Sequence, residues 1–293
     1  QYGAAKGVTE LRELILKRVK EKENIDAKLE NVMVTTGSEQ AIDLVGKAFV
    51  NPGDTVLVEE PTYLCALDVF RSYGANFVSV PMDDDGMKMD ALEEALKAHP
   101  ETALVYTVPN FQNPTGRTMP AERRKKFAEL AAKYDVPVLE DNPYGDIRFA
   151  GEHVPSVKSF DHAGKVFYMS TFSKILAPGF RLGWLVADPK VIEKLTVLKQ
   201  SADLHTDNLV QYVVTEFFKE NDVDAHVKEI SDLYGKRKQL MIDGIKKYFP
   251  KDVKYTDPEG GMFLWVEVPG VTDTVELFKQ CLEHNVAFVP GDP

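Results

Sequence analysis

Short apolar, β-branched runs recur along residues 31–190: DTVLVEEPTY (54–63), ANFVSVPM (75–82), TALVYTVPN (102–110), VPVLEDNPY (136–144) and KVFYMSTFSK (165–174). Each is closed by a polar or proline-containing segment, the pattern of a buried strand. Helical spacing fills the gaps, in SEQAIDLVGKAFV (38–50), TYLCALDVFRSYG ending at Gly74, MDALEEALKAHP (89–100) and PAERRKKFAELAAKYD (120–135). Asp90 and Glu93 have the spacing of a capping box, and Pro120 is expected at the first helical position. The RRKK run at 123–126 reads as a solvated helix face.

Parallel neighbours need a crossover of a dozen or more residues, so this alternation predicts a three-layer α/β/α fold around a mostly parallel sheet. From about residue 191 the pattern changes to long helices, PKVIEKLTVLKQSADL (189–204), DNLVQYVVTEFFKE (207–220) and a stretch reaching LMIDGIKKYF (240–249). A strand GGMFLWVEV (260–268), a helix TVELFKQCLEHN (274–285) and a last strand VAFVP (286–290) follow. The expected division is a large ligand-binding domain over 1–195, then linking helices and a smaller C-terminal α+β domain over 196–293. The first residue is Gln and the chain stops just after the last expected strand, so both ends are expected to be cut and the small domain incomplete.

With 293 residues, 44% of them apolar and 28% charged, the chain can bury a large core. Its net charge of −11 disfavours nucleic acid and anionic membrane and leaves a small molecule as the expected partner. Cys65 and Cys281 form no CxxC or His-Cys cluster, so neither zinc nor a disulfide framework is expected, and a cytoplasmic setting fits. No run has the length of a membrane span, and no signal peptide is visible.

Ligands of such sheets bind at the carboxyl ends of the strands. PNFQNPTG, EDNPYGD and STFSK fall at those ends. Lys174 is either a surface charge or, desolvated in a cleft near the cation of Arg181, an amine suited to forming an imine with an aldehyde cofactor. Arg181 can also fork onto a dianion, with the hydroxyls of Thr171 and Ser173 close by in sequence. Asp141 either caps a turn or pairs with a protonated pyridine nitrogen. Tyr144 is a core ring or a donor to a phenolate oxygen; Asn113 belongs to a turn or donates to the same oxygen. TTGSEQA (35–41) is a serine-capped helix start or a phosphate cradle of backbone N–H groups. Tyr63 is a core ring or a stacking face, and His205 is structural.

In TTGSEQAIDL, EEPTY, FQNPTG, EDNPYGD, STFSK with Arg181, QSADLHT, and GGMFLWVEV with VAFVPG, the chain resembles the fold-type I pyridoxal phosphate (PLP) aminotransferases of class I/II. Within them it is most similar to the 2-aminoadipate and aromatic branch. The resemblance implies that Lys174 carries the cofactor and shuttles the proton, and that Asp141 holds the pyridinium. Asn113 and Tyr144 would bind the phenolate oxygen, and Tyr63 would stack on the ring. Gly37, Ser38, Glu39, Thr171, Ser173 and Arg181 would hold the phosphate, with Tyr2 reaching the phosphate of a second subunit in a homodimer. The family's arginine for the substrate carboxylate lies shortly beyond VAFVPG. Glu39 stands where many relatives carry a neutral residue, and is expected to offer its backbone N–H and turn its carboxylate away. Transamination from an L-amino acid (2-aminoadipate, aromatic, kynurenine-like or branched-chain) to a 2-oxo acid such as 2-oxoglutarate is the implied activity. A PLP lyase or decarboxylase, or the PLP-binding effector domain of a transcriptional regulator, are the alternatives.

Overall fold

A computed structural model describes residues 2–291. Helix α1 (Thr9–Glu23) precedes an alternation of β1 (Val32–Thr36), α2 (Gly37–Phe49), β2 (Thr55–Glu60), α3 (Leu64–Ser72), β3 (Asn76–Asp83), β4 (Gly86–Met87) and α4 (Met89–Ala98). It continues through β5 (Leu104–Thr107), α5 (Ala121–Lys133), β6 (Val138–Asp141), β7 (Val166–Thr171) and β8 (Leu182–Val186). Among the described residues these strands form one sheet in the order β1-β8-β7-β6-β5-β2-β3-β4. The centre, from β3 through β2, β5 and β6 to β7, is parallel, as the crossover argument requires. β8 is antiparallel to both β7 and β1. Two reversals cancel, so β1 ends on the same edge as the parallel strands, and β8 begins there.

The two-residue period of the strands feeds two cores. Val56, Val58, Leu104 and Tyr106 pack with Ile42, Val45 and Phe70 of α2 and α3. The intervening Leu57 and Val105 face Leu92, Leu96, Phe127 and Leu130 of α4 and α5. Both faces of the sheet are therefore dry along β2, β5, β6 and β7, which explains why those strands read as continuous apolar runs, whereas β3 nearer the edge is mostly exposed or half-buried. α1 closes a third cluster on Val32, Val34, Tyr168 and Trp184.

The remaining chain holds α6 (Pro189–Ala202), α7 (Asn208–Glu220), α8 (Val223–Tyr248), β9 (Lys254–Tyr255), β10 (Val266–Glu267) and α9 (Thr274–Glu283). The expected strand 260–268 is reduced to β10, paired antiparallel with β9. VAFVP is not a strand: no described strand pairs with it, and Val286 and Val289 are exposed.

Two local expectations fail for physical reasons. The Asp90–Glu93 capping box does not form, because Lys88 precedes α4 at the cap position and the Glu93 carboxylate accepts from Lys133 (2.6 Å) and the Tyr134 hydroxyl (3.0 Å). RRKK is a solvated face only in part: Lys125 and Lys126 are exposed and Arg123 is half-buried, but Arg124 turns inward. Arg124 is fully buried and donates to the carbonyls of Met119, Pro109, Val154 and Pro155 and to Asn110 Oδ1 at 2.6 Å. It lies three and four residues before Phe127 and Ala128, on the apolar face, and its five donors satisfy loop carbonyls that no strand reaches. Pro120 is the residue before α5 rather than its first.

Candidate active site

Ser38, Glu39, Tyr63, Asn113, Asp141, Tyr144, Thr171, Ser173, Lys174 and Arg181, ten positions singled out in the sequence, line one open cavity. The topology explains the convergence. β2, β5, β6, β7 and β1 all end on this edge, so the loops carrying Tyr63, Asn113, Asp141 with Tyr144, Lys174, and Ser38 with Glu39 meet there. Arg181 joins them because it immediately precedes the antiparallel β8, whose Gly183 pairs with Thr171.

At the inner end, Asp141 is the last residue of β6 and 3% exposed. Tyr106 donates to its Oδ2 at 2.7 Å, while Oδ1 is buried without a hydrogen-bond partner. Desolvation, opposed by the Tyr106 hydrogen bond, pushes the Asp141 carboxyl up to about 7. A buried orphan oxygen of this kind costs on the order of 1–3 kcal/mol unless a ligand supplies a donor. Tyr144 is buried, and desolvation followed by the field of Asp141 raises its phenol above the ordinary range, so its hydroxyl keeps its proton. Asn113 faces that hydroxyl, and Lys174 Nζ lies 5.9 Å from the centre of the Tyr144 ring.

At the outer end, α2 starts without a side-chain cap: Thr36 turns its hydroxyl to Asp203 Oδ2 (2.8 Å) and to Thr206 (3.0 Å) instead. The first N–H groups of a helix have no intrahelical acceptor, and the helix dipole makes this end positive. Gly37 has φ of +74°, and a Cβ there would collide with the Arg181 guanidinium. Gly183 lets the start of α2 approach β8, since its Cβ would lie 2.6 Å from the Ser38 nitrogen. Arg181 is itself left-handed, with φ of +50°, and forms no ion pair with a described carboxylate. Thr171 Oγ1 donates to the Leu182 carbonyl (3.0 Å) and accepts from the Ser173 N–H (3.0 Å), fixing the turn that presents Lys174.

Some supporting residues escaped the sequence reading. Tyr106 looked like strand core, although period two places it beside Asp141 on the neighbouring strand. Glu59 is buried and binds the Thr107 hydroxyl (2.6 Å) and Gln112 Nε2 (3.0 Å), bracing the loop that carries Asn113. Lys199, fully buried in α6, donates to Gln40 Oε1 (2.7 Å) and Asp203 (2.8 Å). Gln40 also accepts from the Thr36 N–H, so α6 pins the start of α2. No local signal marked this pair, which joins positions 159 residues apart. His205 is a local contact, its Nδ1 2.8 Å from the Thr206 carbonyl oxygen. Tyr2 is 84% exposed and is not among the cavity's lining residues.

The sequence pattern of the family described as aminotransferase class I and II matches residues 1–293. The chain is 44% identical to aromatic-amino-acid aminotransferase 1 of Thermococcus litoralis, over 100% of this chain and 71% of that protein. It is 39% identical to the 2-aminoadipate transaminase of Thermus thermophilus, over 100% and 72% of the respective chains. The crystal structure of Pyrococcus horikoshii kynurenine aminotransferase, in complex with PMP, superposes with a TM-score of 0.95 at 44% identity, over 100% of this chain and 73% of that one. These likenesses favour an aminotransferase over a regulator domain, lyase or decarboxylase.

Proposed function

The chain belongs to the class I and II aminotransferases, which use PLP, and on that premise we propose that it moves the amino group of an aromatic, kynurenine-like or 2-aminoadipate donor to a 2-oxo acid such as 2-oxoglutarate. The observation that carries the reading is the buried Asp141 Oδ1, unpaired in a cavity that also holds Lys174 and, at its far end, Arg181. An orphan acceptor at one end and, at the other, an uncapped helix start beside a guanidinium whose one hydrogen bond goes to the Pro178 carbonyl fit a planar group with a protonated ring nitrogen and a dianionic tail. Bound there, PLP supplies an electrophilic aldehyde and an electron sink for the charge left when the substrate α-proton departs.

The protein's own residues do the rest. Asp141 Oδ1 would accept from the ring nitrogen and keep it protonated, with Tyr106 fixing the rotamer through Oδ2. Asn113 and Tyr144 would donate to the ring oxygen, and Tyr63 would cover one ring face. Ser38, Glu39 through its N–H, Thr171, Ser173 and Arg181 would hold the phosphate, Gly37 giving the guanidinium room. Lys174 Nζ would take the proton from the substrate α-carbon and deliver it to the aldehyde-derived carbon of the cofactor, two atoms away across the shared nitrogen, a general base and then a general acid. We further propose a cytoplasmic homodimer in which Tyr2 serves the partner's phosphate site; the free Cys65 and Cys281 suit a reducing compartment.

A panel of amino donors offered with 2-oxoglutarate tests the reading. Glutamate and the matching 2-oxo acid should appear together, fastest with aromatic donors or 2-aminoadipate. Release of carbon dioxide or ammonia without glutamate would contradict it.

A further inference from the structure

We propose that the phosphate end of the cavity is proton-dependent: the cofactor dianion is held with a proton on the Glu39 carboxyl, and the ionised side chain competes with it for Arg181. This rests on the assignment of the phosphate to that end. Glu39 is the third residue of α2 and lines the same cavity as Ser38, Thr171, Ser173 and Arg181. A carboxylate in the first turn of a helix is ordinarily favourable, since it answers the positive end of the dipole. Here it lines the cavity end the phosphate would enter and feels the field of Arg181, and two anions within a few ångströms each disfavour the other's charge.

The surroundings of Glu39 decide which of the two yields. Across the cavity its Oε2 lies 3.4 Å from the Tyr63 hydroxyl, which donates to it, so the side chain points along the cavity wall rather than out to water. Arg181 is the cation that acts on it, and Asp43, one turn along α2, is an acidic neighbour that disfavours its charge; Asp141, on β6, would be answered by the ring nitrogen's proton once the cofactor is bound. Half-burial is the main cause that raises the carboxyl above its ordinary range, opposed by the Tyr63 hydrogen bond and then by Arg181, with Asp43 adding to it. Lys174 and the hydroxyls of Tyr106 and Tyr144 also line the cavity. A glutamate with a second basic partner could stay ionised beside a dianion. Half-buried, with one shared arginine and Asp43 one turn away, Glu39 takes up a proton as the cheaper response.

Spectroscopic titration of the protein with PLP, from pH 5.5 to 8.5, compares the wild type with Glu39→Gln, which keeps an acceptor for Tyr63 and removes the titration. The Gln variant should bind more tightly than the wild type at pH 8.5, by about tenfold for one unit of proton linkage, with the ratio shrinking as pH falls. Tyr63→Phe, which keeps the carboxylate, should retain the wild-type pH slope. A wild-type to Gln affinity ratio that stays constant with pH would overturn the proposal while leaving the cofactor assignment intact. So would a wild-type pH slope that disappears in Tyr63→Phe, because that variant keeps the carboxyl said to carry the proton. Absence of binding by both proteins would sink the cofactor assignment and this inference with it.

Discussion

The two ends of the cavity solve opposite problems. The Asp141 end is dry: one carboxylate, 3% exposed, one hydrogen bond from Tyr106 and one orphan oxygen. The Arg181 end is wet: an exposed guanidinium, a helix start and two hydroxyls, none of them buried as deeply as Asp141 except Thr171. In a low dielectric a single charge is strong and costly, so one residue suffices and its desolvation is offset only when a cation arrives. Near water each donor is worth little, and holding a dianion takes many of them. Lys174 sits between these regimes, which is where an amine must be both reachable by substrate and close to the buried field.

Breaking the dry end should do the most damage. Asp141→Ala removes the ring nitrogen's partner, and its turnover should fall by about 3 to 5 kcal/mol, at least a hundredfold, in steady-state rates with a preferred donor. The same end also predicts a pH effect. Burial holds the carboxyls of Asp141 and Glu59 up to about 7 each, so between the ordinary carboxylate range and pH 7 the folded protein binds more protons than the unfolded chain. Stability of the cofactor-free protein should therefore fall as pH rises through that window, by about 1.4 kcal/mol per pH unit for each proton. Denaturation across pH checks this: Asp141→Asn, or bound PLP, should remove one proton's share of the slope. At the wet end, Arg181→Ala should weaken PLP binding by about 1.5 to 3 kcal/mol, the loss of one charged hydrogen bond, with turnover at saturating cofactor much less affected. Tyr106→Phe should be mildest, about 1 kcal/mol in turnover, because Asp141 keeps its charge and loses one neutral donor. If Arg181→Ala exceeded Asp141→Ala in turnover, the contrast between the ends would be wrong.

The dry end was also the easier to read from sequence. Asp141, Tyr144 and Lys174 each follow a continuous apolar run, and a parallel sheet gathers such positions at one edge by topology alone. The braces were harder because they join distant segments. Lys199 to Gln40 depends on how α6 crosses α2, and Arg124 was mistaken for a surface charge although its spacing to Phe127, Ala128 and Ala131 put it on the buried face. Asp90 followed cap chemistry in its spacing, yet Lys133 and Tyr134, across the α4–α5 contact, had the stronger claim on Glu93. VAFVP had strand composition, but a strand also needs a neighbour, and none of the described strands pairs with it. Local pattern located the chemistry, while tertiary pairing determined what supports it.

The central claim is that Lys174 Nζ is the atom that carries PLP, set between a buried carboxylate and a cationic cradle. Titrating the wild type and Lys174→Ala with PLP while recording the visible spectrum tests it most directly. The wild type should develop an absorbance band distinct from that of free cofactor, resistant to dilution but discharged by an amino donor, and the Ala variant should show no such band. An unchanged band in Lys174→Ala would place the bond on another amine and contradict the account.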